Sequence, residues 1–146
     1  MEIKMNALKG LEIARKKILF RPDINSPIDP VTKKIVNDNR LKKNAVTLKY
    51  MLENGAAVAL IAHQGDTQDY QNLIPLMEHA QKLTALTGHP VHYIDDVCGP
   101  AAIEAVKKLP AGEAIILGNL RYLGEELSTF SNFVKLSPEE MQSVWH

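Results

Sequence analysis

The sequence predicts an α/β fold, a three-layer α/β/α domain with a mostly parallel sheet. Two observations carry this. Apolar runs of strand length alternate with segments of helical period, joined by connections long enough for right-handed crossovers. Four apolar runs also end in polar or charged side chains. Ile18–Phe20 runs into Arg21, Asp23 and Asn25; Ala56–Ala62 into His63 and Asp66; Val91–Ile94 into Asp95 and Asp96; Ala114–Leu117 into Asn119 and Arg121. In parallel sheets ligands gather outside the carboxyl ends of the strands. The pattern therefore sketches one polar site built from four distant segments and suited to a small anion.

Met1–Leu11 is a leader of no clear form. Lys17–Ile24 reads as the first strand, although Pro22 cannot donate to a ladder. Ser26–Val36 is a loop with room for a short extended pair around Ile28 and Ile35. Asp38 or Asn39 is placed to cap a helix from Arg40 to Glu53. Leu41, Ala45, Leu48 and Leu52 share one face of it, with Val46 and Tyr50 close by. Asn54-Gly55 stops it.

The strand Ala57–Ala62 follows, then the loop Gln64–Asn72. A second helix is expected from about Leu73 to Leu86, with Pro75 in its first turn and Gly88 at its end. Strand Val91–Ile94 leads through Asp96–Pro100, with Asp96 as cap, into a helix ending at Lys108. Pro110-Ala111-Gly112 turns the chain into strand Glu113–Leu117. Ser137-Pro138-Glu139-Glu140 is a strong helix start: a Ser cap, Pro at the first position, Glu three after the cap. It reads as the opening of a helix that continues in a longer polypeptide, the alternative being a short terminal helix that docks and ends.

The 146 residues suit one domain, and 45% hydrophobic with 23% charged is ordinary for a globular protein. Lys+Arg and Asp+Glu both count 17, which excludes nucleic-acid binding by bulk charge but not a local basic pocket. Ala56–Ala62, the longest apolar run, is too short to cross a bilayer. Charges from Glu2 and Lys4 onward do not make a signal peptide. Cys98 is the only cysteine, so no internal disulfide forms, and a cytoplasmic protein is expected. Cys98 itself reads as small and buried or half-buried. Asp95-Asp96 could resemble a metal pair, but the capping role of Asp96 is favoured. His79, His89 and His92 fit no ligand spacing and read as surface or packing residues.

The strand ends carry recognisable chemistry. Arg21-Pro22-Asp23-Ile24-Asn25-Ser26-Pro27 presents a carboxylate and an amide. Asn37-Asp38-Asn39-Arg40-Leu41 puts a guanidinium in the first turn of a helix. Ala62-His63-Gln64-Gly65-Asp66-Thr67 holds a glycine where the chain must turn. Tyr93 to Pro100 reads Y-I-D-D-V-C-G-P, and Gly118-Asn119-Leu120-Arg121-Tyr122 offers a second guanidinium. Arginine suits a bidentate grip on carboxylate or phosphate.

These segments, in this order, resemble the N-terminal domain of phosphoglycerate kinase, most closely its archaeal form. The family patterns are R-V-D-[FI]-N-V-P, D-D-x-R-[IL], [SA]-H-x-G-R-P, Y-x-D-D-x-x-G-P and E-N-[LV]-R-[FY], and the resemblance covers nearly the whole chain from about Gly10. It implies a Rossmann-like, incomplete substrate-binding domain over residues 1–146, with a nucleotide-binding C-terminal domain elsewhere in the parent chain. It implies a phosphotransferase of glycolysis and gluconeogenesis that passes a phosphoryl group between 1,3-bisphosphoglycerate and ADP, giving 3-phosphoglycerate and Mg-ATP. The nucleotide would bind through the missing domain, and this chain alone would be inactive.

By the same resemblance Asp23 and Asn25 bond the substrate hydroxyl or order its neighbours. Arg40 holds the carboxyl end and stabilises charge on the transferring phosphoryl, the catalytic role. His63 and Arg121 grip the 3-phosphate end. Nucleic acid and membrane are not expected partners. Three departures stand out: Pro22 for the family valine, Gly118 for its glutamate, and Asp66 for an arginine. Two charges about 4 Å apart interact by roughly 4 kcal/mol at an effective dielectric of about 20, and less when solvated. Asp66 therefore weakens phosphate binding unless it turns away or pairs with a cation. It motivates a second reading, a non-catalytic paralogue that binds another acid or a protein partner.

Overall fold

The computed structural model describes residues 7–66 and 72–126. Four strands form one parallel sheet: β1 (Lys17–Phe20), β2 (Ala57–Leu60), β3 (Val91–Tyr93) and β4 (Ala114–Ile116), in the order β1-β2-β4-β3. Three helices connect them: α1 (Asn39–Glu53), α2 (Met77–Thr87) and α3 (Pro100–Lys108). The sequence did not reveal which strands are central; they are β2 and β4.

Side chains alternate across the strands with period two, which splits the core into two layers. Val58 and Leu60 of β2 pack with Ala114 and Ile116 of β4 against Leu41, Ala45, Leu48 and Leu52 of α1 and Ala80 and Leu83 of α2. Ala57 and Ala59 face the other way, with Ile115, Leu117 and Ala102 of α3. Burying each leucine is worth about 1.5–3 kcal/mol, so the first layer dominates stability.

β1 is shorter than the expected Lys17–Ile24. Its ladder ends where the Ile61 amide donates to the Phe20 carbonyl at 3.0 Å. Pro22 has no N–H to extend it, and residues 21–25 become loop. Ile28 and Ile35 form an isolated antiparallel bridge, as the pattern predicts.

α1 starts one residue early, and Asp38 is its N-cap, but no side chain caps it. Asp38 has φ −105° and ψ 15°, outside the extended region from which a side chain reaches back. Its carbonyl accepts the Lys42 amide at 2.9 Å, and its carboxylate pairs with Lys42 Nζ at 2.9 Å.

α2 begins at Met77 rather than Leu73, so Pro75 precedes the helix. The reason is competition: the Leu73 carbonyl accepts the Tyr122 hydroxyl at 3.3 Å, and the Ile74 carbonyl accepts the Asn119 amide at 3.0 Å. Those carbonyls therefore serve the β4 loop instead of a first helical turn. Gly88, at φ +74°, ends α2 as expected.

Asp96 organises the start of α3, accepting the Gly99 amide at 2.7 Å and the Ala102 amide at 3.0 Å. These bonds hold its carboxyl below the usual range. Cys98, expected to be buried or half-buried, is exposed in the loop before α3. The helix start at Ser137 lies outside the described residues. Among the described residues no helix is long and apolar enough to cross a membrane.

Candidate functional site

The loops after β1, β2 and β4 and the start of α1 meet at the carboxyl edge of the sheet. Asp23 follows β1, and Arg40 lies in the first turn of α1. Arg40 Nη1 donates to both Asp23 oxygens, at 2.8 and 2.9 Å. Asn44, one turn along, donates to the carbonyls of Asp23 and Arg40 at 2.8 and 3.0 Å, which fastens the loop to the helix. The pair is solvated, with Arg40 53% and Asp23 65% exposed.

Asn25 crosses to the β2 loop. Its Oδ1 accepts the Gly65 amide at 3.1 Å, and its Nδ2 reaches the Gly65 carbonyl at 3.5 Å. Gly65 has φ +95°, and a Cβ there would sit 2.8 Å from the Asn72 carbonyl oxygen. Only glycine makes this turn at low cost.

Two residues before Gly65, His63 is half-buried. Burial holds its imidazole below the ordinary value, and the Arg121 charge lowers it further. Asp23 and Glu126 pull it up, and Arg21 pushes it down. Charges from the loops after β1 and β4 thus act on one ring in the loop after β2.

Arg121 lies in a short turn after β4, where the Asn119 side chain accepts its backbone N–H at 3.1 Å. Its Nε is buried with no acceptor among the described residues. The nearby Glu126 carboxylate is bound by Arg21.

The structure therefore brings Asp23, Asn25, Arg40, His63 and Arg121 to one rim. It leaves Asp95 and Asp96 apart from that cluster, with Asp96 capping α3 and Asp95 accepting the Tyr93 hydroxyl at 2.6 Å. That bond and burial raise the Tyr93 phenol. Among the described residues no group of three or more His, Cys, Asp or Glu is placed to hold a metal.

Asp66 is exposed, in the loop after β2. Gly118 packs against the loop after β3, where a Cβ would meet Val97 Cγ2 at 3.0 Å. A glutamate there would need that loop to move.

Sequence reasoning names Asn119 as a strand-end residue and reads His79 as surface or packing, but it places neither in a buried layer beneath the rim and gives Gln64 no role. Gln64, Asn119 and His79 are fully or almost fully buried. The available signal was a polar residue flanked by site residues: Gln64 between His63 and Gly65, and Asn119 two before Arg121.

Comparison with known proteins identifies the family and the fold. The family model for phosphoglycerate kinase matches residues 8–142. A phosphoglycerate kinase from Sulfolobus acidocaldarius is 37% identical over 126 residues, 86% of this chain and 30% of that protein. One from Methanothermobacter thermautotrophicus is 34% identical, covering 96% of this chain and 32% of its own length. The crystal structure of phosphoglycerate kinase from Pyrococcus horikoshii OT3 superposes with a TM-score of 0.77 at 36% identity, over 83% of this chain and 29% of that one. The chain thus spans less than a third of the length of these relatives, and it belongs to the phosphoglycerate kinase family.

Proposed function

We propose that this chain is the acid-binding part of a phosphoglycerate kinase. The whole protein would move a phosphoryl group between 1,3-bisphosphoglycerate and ADP, giving 3-phosphoglycerate and ATP. The observation that carries this reading is the rim itself. Asp23 aligns Arg40, while His63 and Arg121 sit within electrostatic reach of each other beside it. The buried Nε of Arg121, with no acceptor among the described residues, supports its use on a ligand oxygen.

Arg121 and His63 hold the phosphate of 3-phosphoglycerate. Arg40 holds the carboxyl end and offsets negative charge that builds on the transferring phosphoryl, where fixed cations contribute most. Asp23 keeps Arg40 aimed. Asn25 bonds Gly65 through both its amide oxygen and its amide nitrogen, so it orders the β2 loop, and its second N–H and second lone pair stay open to the substrate hydroxyl.

The described residues of this rim do not fit a nucleotide. No glycine-rich phosphate loop joins a strand to a helix, and the one glycine after β2 is tied to Asn25. We therefore derive no step here through ATP or magnesium and assign the nucleotide to another domain of a longer parent. The chain alone binds acid without turnover. Its single cysteine fits a reducing, cytoplasmic setting.

Calorimetric titration of 3-phosphoglycerate into the chain tests the binding, and an ATP-coupled assay of the parent tests the transfer. Saturable binding and turnover support the reading; absence of both overturns it. The alternative, a non-catalytic paralogue that binds another acid or a protein partner, rests on Asp66 alone, and relatives that are all phosphoglycerate kinases do not favour it.

A further inference from the structure

Beneath the rim lies a set of buried amides that meets the proposed substrate-binding residues only through the backbone. Gln64 follows His63 directly, and successive residues of an extended segment point to opposite sides. His63 is half-buried at the rim, and Gln64 is buried. The Gln64 side chain pairs with Ser26 like a strand partner. It accepts the Ser26 amide at 2.9 Å through Oε1 and donates to the Ser26 carbonyl at 2.8 Å through Nε2.

Because both Ser26 partners are backbone groups, the orientation of the Gln64 amide is fixed. Oε1 then faces His79 Nε2 at 3.0 Å, so that nitrogen must carry the proton and donate. The Gln64 backbone is clasped as well. Its N–H donates to Asn119 Oδ1 at 3.2 Å, and its carbonyl accepts Asn119 Nδ2 at 2.9 Å. The same Asn119 side chain receives the Arg121 amide and donates to the Ile74 carbonyl.

Two buried amides thus join the loops after β1, β2 and β4 and tie them to α2. Each loop carries a group of the rim: Asp23, His63 and Arg121. A one-residue link connects Gln64 to His63, and one hydrogen bond connects Asn119 to the Arg121 backbone.

We propose that Gln64 and Asn119 are positioning residues that set the separation of His63 and Arg121, with buried His79 locking the Gln64 amide. This rests on the phosphoglycerate reading for its ligand, but the geometric claim does not need the ligand. Buried polar groups that are satisfied hold one geometry; here the Gln64 and Asn119 amides are bonded through both oxygen and nitrogen, while His79 Nδ1 is buried with no partner among the described residues. A loop rim held only by apolar contacts would let the two groups drift by fractions of an ångström.

The test uses the full chain with Gln64→Met, which keeps the length and removes both side-chain bonds to Ser26. His79→Leu serves as a milder variant that removes a single donor and covers the case where the first fails to fold. Ile115→Val, in the other core layer, supplies a control of general destabilisation. Two quantities are read on folded protein: the NMR titration of the His63 imidazole and the affinity for 3-phosphoglycerate.

Gln64→Met should move the His63 titration back toward the ordinary value and weaken 3-phosphoglycerate about tenfold. His79→Leu should do both to a smaller degree, and Ile115→Val neither. Unchanged His63 titration and affinity in folded Gln64→Met or His79→Leu would overturn the proposal. If the unaltered chain fails to bind 3-phosphoglycerate, the substrate reading falls. The His63 titration then decides the positioning role by itself, supporting it if it shifts and overturning it if it does not.

Discussion

One guanidinium nitrogen of Arg40 spans both carboxylate oxygens of Asp23, at 2.8 and 2.9 Å, at the junction of β1 and α1. An arginine in the first turn of a helix opposes the macrodipole, and the carboxylate offsets this. Both partners are more than half exposed, so the pair contributes little to stability. Its value lies in where it aims Arg40.

Asp23→Asn should therefore change unfolding free energy by less than about 1 kcal/mol while weakening 3-phosphoglycerate several-fold. Arg40→Lys should weaken it more, about tenfold, because an ammonium cannot replace the planar fork. Urea melts and calorimetry separate the two effects. A large stability loss in Asp23→Asn would show the pair to be structural.

Gly65→Ala should destabilise the chain by about 1–3 kcal/mol, the usual cost of a non-glycine residue in strained backbone. The position has φ +95°, and the new Cβ would meet the Asn72 carbonyl at 2.8 Å. The urea midpoint should fall with an unchanged slope.

His79 makes stability depend on acidity. Burial, aided by the Lys82 charge, lowers its folded value from 6.5 to about 4. Above the unfolded value both states are neutral and folding is unaffected. As pH falls, the unfolded chain takes a proton that the folded chain refuses. Stability is therefore full above the unfolded value and is lost as pH falls toward the folded one. The loss approaches about 1.4 kcal/mol per pH unit, on the order of 3 kcal/mol in all. His79→Leu should flatten the pH slope of stability between about pH 7 and about pH 5, where carboxylates titrate little.

Asp66→Arg should raise affinity for 3-phosphoglycerate about tenfold at low salt, with the gain shrinking as salt screens it. No gain would mean that the Asp66 carboxylate lies too far from the bound phosphate to matter, and the paralogue reading would lose its motivation.

Much of the rim was legible in the residue string because it uses local chemistry. Strand ends announce themselves where apolar runs stop, and Arg21-Pro22-Asp23-Ile24-Asn25 or Asn119-Leu120-Arg121 can be read without coordinates. The supporting layer was not legible. Nothing local says that Gln64 turns inward to Ser26 and His79, or that Asn119 clasps the Gln64 peptide, because those partners are 15 to 55 residues away in the chain. The late start of α2 has the same origin: Pro75 suits a first helical turn by local rules, but Asn119 and Tyr122 claim the preceding carbonyls. Arg21 was seen as a strand-end cation, while its partner Glu126 is 105 positions away.

Whether the gathered side chains act as a single site is decided most directly by residue-resolved NMR during a 3-phosphoglycerate titration of this chain. The signals of the Arg40 and Arg121 guanidinium groups and of the His63 ring should move together and saturate with one dissociation constant. Separate constants for the three groups, or motionless side chains while ligand binds elsewhere, would contradict a shared acid-binding rim.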